Sequence, residues 1–342
     1  MKTPIKIFLI LLTYSCTQKI DLPEIVPLTT PSTASLRGIS AVSDSIIWVS
    51  GSQNTVLKSL DAGQSWTDVS IADSVKLDFR DIEAFNESTA IVMNAGFPGR
   101  IYKTKDGGAV WKLVYEDYRE GIFLDAMDFW DENRGVAFSD PIDGKFVVIR
   151  TEDGGDSWMA IPDAIRPDAK EGEGGFAASG SVIKALPNGD AIIATTNGRI
   201  IQLSFKKESL DIVETPIKSD QPGSGIFSID FFDDRNGIAV GGDYSMDSLA
   251  IENAANTNDG GSAWQLISGL SGYRSAVSYV PGRDGNMLFA CGTSGVDYTV
   301  DGGETWVNIS SDGYHAIDFG STNNGWMSGA GGSVARIVLA EY

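Results

Sequence analysis

Three arginines and a small set of acids and tyrosines are the side chains of this sequence best suited to bind a ligand. Arg37, Arg80 and Arg274 occupy equivalent places in similar short segments, and Tyr314 falls in the same column of that alignment. A guanidinium binds a carboxylate through two parallel hydrogen bonds. Acids and hydroxyls on the opposite side would suit a ligand that carries a carboxylate and hydroxyl groups. The candidates for that side are Asp140, Glu173, Asp243 and Tyr244.

A purely structural role for the arginines is the competing interpretation. Each could pair with a nearby acid, such as Asp81 or Asp125, and hold neighbouring strands together. The single histidine, His315, could line the same site or pack as a structural residue. A Ser-His-Asp triad around it is conceivable, but no Gly-x-Ser-x-Gly nucleophile motif is present. Cys291 follows an apolar strand and is expected to be a small buried residue.

The composition excludes several classes of function. The chain has 342 residues, with 26 Lys and Arg against 46 Asp and Glu, for a formal charge of −20. A surface this acidic repels phosphate backbones, so we expect no nucleic-acid partner. One histidine and two cysteines exclude His-rich metal sites, zinc clusters, c-type haem attachment and a disulfide framework. We therefore expect neither a metal nor a cofactor.

The first sixteen residues have the pattern of an export signal. Lys2 and Lys6 precede an apolar run at residues 7–12, which is too short to span a bilayer because spanning needs about 20 apolar residues. Cys16 follows, as in bacterial lipoprotein signals, where this cysteine is acylated and becomes the mature N-terminus. Tyr14 departs from the usual small-residue box, so cleavage without lipidation stays open. We expect an exported chain in the cell envelope, on the periplasmic or outer-membrane side, held to a membrane through Cys16.

A motif of the form Ser/Thr-x-Asp-x-Gly-x-x-Trp recurs five times. The spacings between its aspartates are 45, 47, 106 and 42 residues, so one unit inside the long gap has lost the motif. We expect the carboxylate to accept N–H groups of its own turn, the glycine to adopt left-handed geometry and the tryptophan to be buried between sheets. Calcium ligation would need several oxygen donors at alternate positions, and that spacing is absent. The motif residues are Asp61, Asp106, Asp153, Asp259 and Asp301 with Trp66, Trp111, Trp158, Trp264 and Trp306.

The segments upstream of the motifs predict the fold. Seven strand starts align across the chain, and each is followed by turn signals and further strand-like runs. Four antiparallel strands per repeat of about 45 residues are typical of a β-propeller blade. We predict an all-β, seven-bladed propeller over residues 34–342 with little helix, preceded by a tether and closing strand in residues 17–33. The last repeat lacks its outer strand, which residues 24–28 would supply. The aligned starts lie at residues 36–42, 79–85, 123–129, 176–182, 226–231, 273–279 and 314–319.

The motifs match the BNR, or Asp-box, repeat of bacterial sialidases, sortilin-type receptors and photosystem II assembly factors. The order of the surrounding segments resembles the photosystem II assembly factor-like branch, over residues 34–342. The resemblance implies a propeller fold and says little about function, because the repeat is architectural. The segments that carry it are residues 36–38, 79–81, 140–141, 176–180 and 241–244.

Three classes of function remain open. The first is a monomeric binding or assembly module that holds a protein or glycan partner at the mouth of the channel, where the three arginines and Tyr314 should converge. The second is a sialidase-like glycosidase, which needs an acid and base pair, or a Tyr-Glu nucleophile with three arginines. The chain lacks the Arg-Ile-Pro start that is typical of sialidases, and its seven predicted blades are one more than their usual six. The third is an oxidoreductase, although no Gly-x-Gly-x-x-Gly motif opens a helix. The binding module is expected, and an enzyme is not.

Overall fold

The computed structural model describes residues 22–339. These residues form seven antiparallel sheets of four strands each, arranged as the predicted seven-bladed propeller. Helical structure in this part of the chain is limited to three short 3₁₀ turns, at Asp163–Ile165, Tyr244–Met246 and Ala330–Gly332. The low helix content agrees with the absence of a sustained 3.6-residue apolar period in the sequence.

Each blade takes its strands in chain order, except that the outer strand of blade 7 comes first in the chain, as β1 (Glu24–Leu28). Blade 1 comprises β2 (Leu36–Ala41), β3 (Ile47–Gly51), β4 (Val56–Ser59) and β5 (Thr67–Asp68). Blade 2 comprises β6 (Phe79–Ala84), β7 (Ala90–Asn94), β8 (Gly99–Thr104) and β9 (Lys112–Asp117). Blade 3 comprises β10 (Leu124–Phe129), β11 (Gly135–Ile142), β12 (Lys145–Thr151) and β13 (Met159–Ala160).

The remaining blades follow the same order. Blade 4 comprises β14 (Ile183–Ala185), β15 (Asp190–Ala194), β16 (Arg199–Ser204) and β17 (Ser209–Glu214). Blade 5 comprises β18 (Ser224–Phe231), β19 (Gly237–Asp243), β20 (Ala254–Thr257) and β21 (Gln265–Leu266). Blade 6 comprises β22 (Ala276–Tyr279), β23 (Leu288–Gly292), β24 (Gly295–Thr299) and β25 (Val307–Ser310). Blade 7 comprises β26 (Ala316–Asp318), β27 (Asn324–Ser328) and β28 (Val334–Val338), with β1 outside them.

The two ends of the chain meet in blade 7. Strand β1 pairs antiparallel with β28, with Glu24 opposite Val338 and Leu28 opposite Val334. Pro27 lacks a backbone N–H but is tolerated, because an outermost strand has one unpaired edge. The predicted closing strand is thus confirmed, and the pairing covers an edge of β28 that would otherwise be exposed.

The hydrophobic core lies between adjacent blades rather than in one central mass. Trp48 of blade 1 is fully buried and belongs to the same cluster as Phe79 and Ile82 of blade 2. Trp326 of blade 7 is likewise buried against Leu36 of blade 1. Burying side chains of this size stabilises a fold by roughly 1.5–3 kcal/mol each, so the ring is held together blade by blade.

The five Asp boxes adopt one hydrogen-bonded turn. In the third box, Asp153 Oδ1 accepts from Thr151 Oγ1 at 2.8 Å and from the backbone N–H of Ser157 at 2.9 Å. Thr151 Oγ1 in turn accepts the N–H of Gly155, whose φ of 82° lies in the left-handed region. The carboxylates are therefore occupied by their own turns. The aspartates of the other four boxes bind the corresponding groups.

The tryptophans that end the boxes are expected to be buried between sheets, and two of the five are. Trp158 and Trp264 are each 8% exposed and pack edge to face on Phe129 and Phe231, at 5.8 and 6.0 Å between ring centroids. The indoles of the remaining boxes are partly buried at the outer edge of their blades.

Blade 4 departs from the predicted pattern. The aligned strand start at residues 176–182 is wrong, because the inner strand β14 begins at Ile183. Residues 176–181, here called the crossing segment, instead leave the blade and cross the central channel. Ser179 Oγ donates to the backbone oxygen of Ser275 in blade 6 at 2.8 Å, and Ser181 Oγ donates to Ser228 Oγ in blade 5 at 2.7 Å. The channel is therefore divided into a mouth and a lower part.

The lower part of the channel is a polar cavity of about 110 Å³. Lys184 lies in it with its Nζ 3.1 Å from Asp230 Oδ1 and 3.9 Å from Asp128 Oδ2. The negative charge of Asp230 is the main cause of the raised pKa of Lys184. Three aspartates join neighbouring blades here by accepting a backbone N–H at 2.7–2.8 Å: Asp318 from Ala41, Asp128 from Ala185 and Asp230 from Tyr279. These acids hold the ring together.

Candidate functional site

The mouth pocket is a cavity of about 420 Å³ above the crossing segment, at the end of the ring where the inner strands begin. Blades 1, 2, 5, 6 and 7 all contribute to it, and the crossing segment forms its floor. Its lining combines two guanidinium groups, one imidazole and an aromatic wall. The lining residues are Arg37, Arg80, Phe123, Gly175, Phe176, Ala177, Ala178, Pro222, Phe227, Tyr244, Tyr273, Thr293 and His315.

Arg37 and Arg80 reach the pocket because each is the extra residue of a β-bulge. The pairing of β2 with β3 shifts register between Leu36 and Gly38, and that of β6 with β7 shifts between Phe79 and Asp81. A bulge leaves one residue outside the ladder and re-aims its side chain. Both guanidinium groups are thereby turned from the blade into the mouth.

The two arginines are held in different ways. Arg37 Nη1 donates to the backbone oxygen of Ala178 at 3.3 Å and forms no ion pair with any residue between 22 and 339. Arg80 Nη1 donates to the oxygen of Ala177 at 3.2 Å, and its Nε donates to Asp78 at 2.8 Å. Burial, and then the neighbouring charge of Arg80, lowers the pKa of Arg37. Neither arginine pairs with Asp81 or Asp125, so the mouth keeps an uncompensated positive charge.

Arg274 does not face the mouth, which corrects the predicted alignment by one residue. Its backbone N–H donates to the oxygen of Gly241 in the preceding blade, just as that of Leu36 donates to Gly329. In blade 6, Arg274 therefore occupies the buried position that Leu36 has in blade 1, and not the bulge position of Arg37. Its side chain is 0% exposed, and its Nε and Nη2 lie 2.9 and 2.7 Å from Asp297 Oδ2. For this residue the structural interpretation holds.

Tyr314 takes the same buried place in blade 7, because its N–H donates to the oxygen of Gly292. The residue is 3% exposed and belongs to the core between blades 6 and 7, where burial raises the pKa of its phenol. The bulge place of blade 7 belongs to His315, which lines the pocket. Burial, and then the charges of Arg37 and Arg80, lower the pKa of His315 to about 4, so its ring is neutral at pH 7.

An aromatic wall faces the arginines. Phe176 of the crossing segment stacks on Phe227 with centroids 3.6 Å apart, and Tyr273 meets Phe227 edge to face at 4.7 Å. Tyr244 stands at the rim and is 57% exposed. Sequence reasoning found only Tyr244. Phe227 could have been found, because it is the bulge residue of blade 5, between Ile226 and Ser228.

The predicted acids do not line the mouth. Glu173 is buried in an ion pair with Arg199 and accepts from Thr195 Oγ1 at 2.6 Å. Asp243 is buried and accepts from the N–H and Oγ of Ser245 at 2.9 and 2.6 Å. Asp140 lies in a neighbouring groove, where its Oδ1 accepts the N–H of Gly175 at 2.9 Å. Of the eight predicted site residues, the structure brings together Arg37, Arg80 and Tyr244.

Other kinds of site have less support in residues 22–339. No group of three or more His, Cys, Asp or Glu side chains there could hold a metal ion. The thiol of Cys291 is fully buried, as expected, and burial raises its pKa to about 12. In the same range, no helix has both the length and the apolar character needed to cross a bilayer. Cys16 lies outside the described residues.

Comparison with known proteins supports the predicted resemblance. A family model described as photosynthesis system II assembly factor YCF48 matches residues 23–124. A solved structure of YCF48 bound to a D1 peptide is 17% identical, with a TM-score of 0.67, over 94% of this chain and 97% of that one. A structure of YCF48 from Cyanidioschyzon merolae is 16% identical, with a TM-score of 0.66, over 92% and 98%. No curated protein matches the chain. The resemblance to photosystem II assembly factor-like BNR propellers is confirmed, and at these identities the structural matches show the fold alone.

Proposed function

We propose that this propeller is a non-enzymatic binding module that holds a segment of a partner protein in the mouth pocket. An anionic group of the segment binds Arg37 and Arg80, and an apolar or aromatic side chain packs against Phe227 and Tyr244. The observation that carries the proposal is the guanidinium of Arg37, which has no ion pair within the described residues, beside that of Arg80. Two like charges placed side by side, in a chain of net charge −20, favour a site built for an anion.

The charges around the pocket support this choice. No carboxylate lines the mouth within the described residues, and the ring of His315 is neutral at pH 7. An incoming carboxylate would therefore compete only with Asp78, which holds the Nε of Arg80, and would meet no carboxylate partner at Arg37 among the described residues. Charge-assisted hydrogen bonds of this kind are about twice as strong as neutral ones.

A protein partner is favoured over a glycan for two reasons. One similar structure is of YCF48 with a D1 peptide bound, and the aromatic wall presents flat apolar area suited to a side chain. A glycosidase is disfavoured, because Glu173, Asp243 and Tyr314 are buried and cannot supply the acid, base or nucleophile in the mouth. No observation in the structure favours an oxidoreductase.

The test is binding of short fluorescent peptides that combine an aspartate with a phenylalanine, measured by fluorescence polarisation. We expect the wild type to bind these peptides. The affinity should fall at least about tenfold in Arg37→Ala and in Arg80→Ala, because each substitution removes one partner of a charge pair that is shielded from water. Arg134→Ala removes an exposed arginine from a turn on the opposite face and should bind normally. Equal affinity in all four proteins would refute the mouth as the binding site.

We further propose that the chain is exported and anchored in the cell envelope through Cys16. The basic residues Lys2 and Lys6, the short apolar run and the following cysteine support this, and they lie outside the described residues. Acyl chains add about 0.8 kcal/mol per buried methylene, so several chains on one cysteine anchor firmly. In a bacterial host fed labelled palmitate, the wild type should become labelled and membrane-bound, and Cys16→Ser should not. Labelling of neither protein would contradict the anchor.

A further inference from the structure

A second cavity, here called the side groove, borders the mouth pocket between blades 3 and 4. Its volume is about 540 Å³, and it shares Gly175 with the mouth. The residues used in the argument below are Gly121, Asp140, Gly144, Glu171, Gly172 and Gly174. We infer that the partner segment continues over Gly175 into this groove, where Asp140 binds a Lys or Arg side chain of the segment. This inference rests on the proposed function of the mouth.

The groove carries free negative charge, opposite in sign to the mouth. Asp140 forms no ion pair with any residue between 22 and 339, and only its Oδ1 is used, by the N–H of Gly175. Exposed Glu171 likewise has no ion pair in that range. The other charged groups at the groove are already compensated, because Lys170 Nζ lies 2.6 Å from Glu214 and Glu173 pairs with Arg199.

The shape of the groove suits a peptide backbone. Gly121, Gly144 and Gly172 have left-handed φ angles of 87°, 75° and 72°, and the space beside each is open. At the junction with the mouth, a side chain at Gly174 would collide with the carboxyl of Asp140. The floor between the two cavities is therefore bare backbone, over which an extended chain can pass closely.

The distance between Asp140 and Arg80 limits how far apart the charged residues of the partner segment can be. Asp140 Oδ1 accepts the N–H of Gly175, and Arg80 Nη1 donates to the oxygen of Ala177, so the two anchor points lie two positions apart in the chain. Two residues span at most about 7 Å, and an extended segment rises about 3.3 Å per residue. The basic and anionic groups of the segment should therefore lie about two residues apart, and up to about four where the side chains of Asp140 and Arg80 reach away from the anchor points.

The test uses labelled fourteen-residue peptides of Ala and Gly that carry a central Phe-Asp pair. A single Lys is placed one to six residues to either side of the pair, and Gln replaces it in a matched set. For the wild type we expect Lys two to four residues away to tighten binding about fivefold over Gln, which corresponds to a charge pair of about 1 kcal/mol. Asp140→Asn should abolish that preference, since Asn still accepts the N–H of Gly175 and preserves the loop. Asp211→Asn removes a charge from the outer strand of blade 4 and should keep the preference.

The outcomes separate the groove from the mouth. Equal binding of Lys and Gln peptides at every spacing, or a preference that persists in Asp140→Asn, would overturn the groove alone. A wild type that binds neither set would overturn the proposed mouth site, and this inference with it. Arg37→Ala should lose both sets, whereas Asp140→Asn should lose only the advantage of Lys.

Discussion

The guanidinium of Arg37, on blade 1, donates a hydrogen bond to the backbone oxygen of Ala178, which belongs to the crossing segment that leads into blade 4. Blades 1 and 4 are not neighbours in the ring, so the bond joins blade 1 to a segment that spans the channel. Arg80 makes the corresponding bond to Ala177. The crossing segment thus both closes the floor of the mouth and orients the two arginines, and each of them keeps further N–H donors for a ligand.

Arg274→Ala should destabilise the protein strongly, whereas Arg37→Ala should not. Arg274 and Asp297 are both fully buried, and removing one partner of a buried pair costs about 3–5 kcal/mol, since the other charge is left uncompensated. Arg37 gives up one long hydrogen bond and a like-charge contact, so we expect a change of less than about 1 kcal/mol. Urea unfolding of both variants measures the difference. Similar losses in the two would contradict the different environments assigned to them.

The regular part of the fold was predictable because each Asp box is a local turn. The bonds among Thr151, Asp153 and Ser157 lie within seven residues and need no distant partner, so the motif alone fixes a hairpin and its period. The closing strand was equally predictable, because blade 7 lacked an outer strand and Pro27 suited an edge.

The candidate site was only partly predictable, because its positions depend on contacts between distant segments. Arg37 and Arg274 look equivalent in sequence. Their positions in the blade differ by one residue, because the backbone N–H of Arg274 donates to the preceding blade as that of Leu36 does, and Arg37 follows Leu36. The crossing segment resembles a strand start, but its partners lie in blades 1, 2, 5 and 6. Hydrogen bonds between segments so far apart in the chain leave no pattern in the local sequence.

Ala263→Ser should stabilise the fourth Asp box. In the third box, Ser157 Oγ donates to Asp153 Oδ2 at 2.6 Å, in addition to the N–H bond that both boxes share. Ala263 stands at the position of Ser157 and cannot make this bond. A gained hydrogen bond to a carboxylate contributes about 1 kcal/mol, which urea unfolding can resolve. The reverse change, Ser157→Ala, should lose a similar amount, and an unchanged midpoint in both would exclude the bond as a source of stability.

Asp318→Asn should alter how stability depends on pH. Burial is the main cause that raises the pKa of Asp318 to about 6, against an ordinary value near 3.9. The folded state therefore binds this proton more tightly than the unfolded chain. The resulting stability is fully present below about pH 4 and is lost as the pH rises to about 6. Two pKa units correspond to about 3 kcal/mol, so the wild type should lose up to that much through this group between pH 4 and 7. Asp318→Asn should not show this loss. The variant should instead be less stable by a constant amount, because Asn has one acceptor oxygen for the two N–H groups of Ala41 and Phe319.

Chemical denaturation at several pH values in this window tests the effect of Asp318. The exposed Asp211→Asn removes the same formal charge from the outside of blade 4 and serves as the control. Its unfolding free energy should run parallel to that of the wild type across the window. Parallel curves for Asp318→Asn as well would show that Asp318 does not titrate with a raised pKa.

Gly180→Ala should disturb the crossing segment more than Gly189→Ala disturbs a surface turn. Both glycines are left-handed, with φ of 74° and 91°, and alanine pays roughly 1–2 kcal/mol in that region. The space around Gly189 is open, but a side chain at Gly180 would collide with the carboxyl of Asp81. Overpacking of this kind costs typically 1–3 kcal/mol more, and the shift should carry Ala177 and Ala178 away from the arginines. We therefore expect Gly180→Ala to lose both stability in urea and affinity for the Phe-Asp peptides, while Gly189→Ala loses only stability. Normal peptide binding by a folded Gly180→Ala protein would show that the crossing segment does not position Arg37 and Arg80.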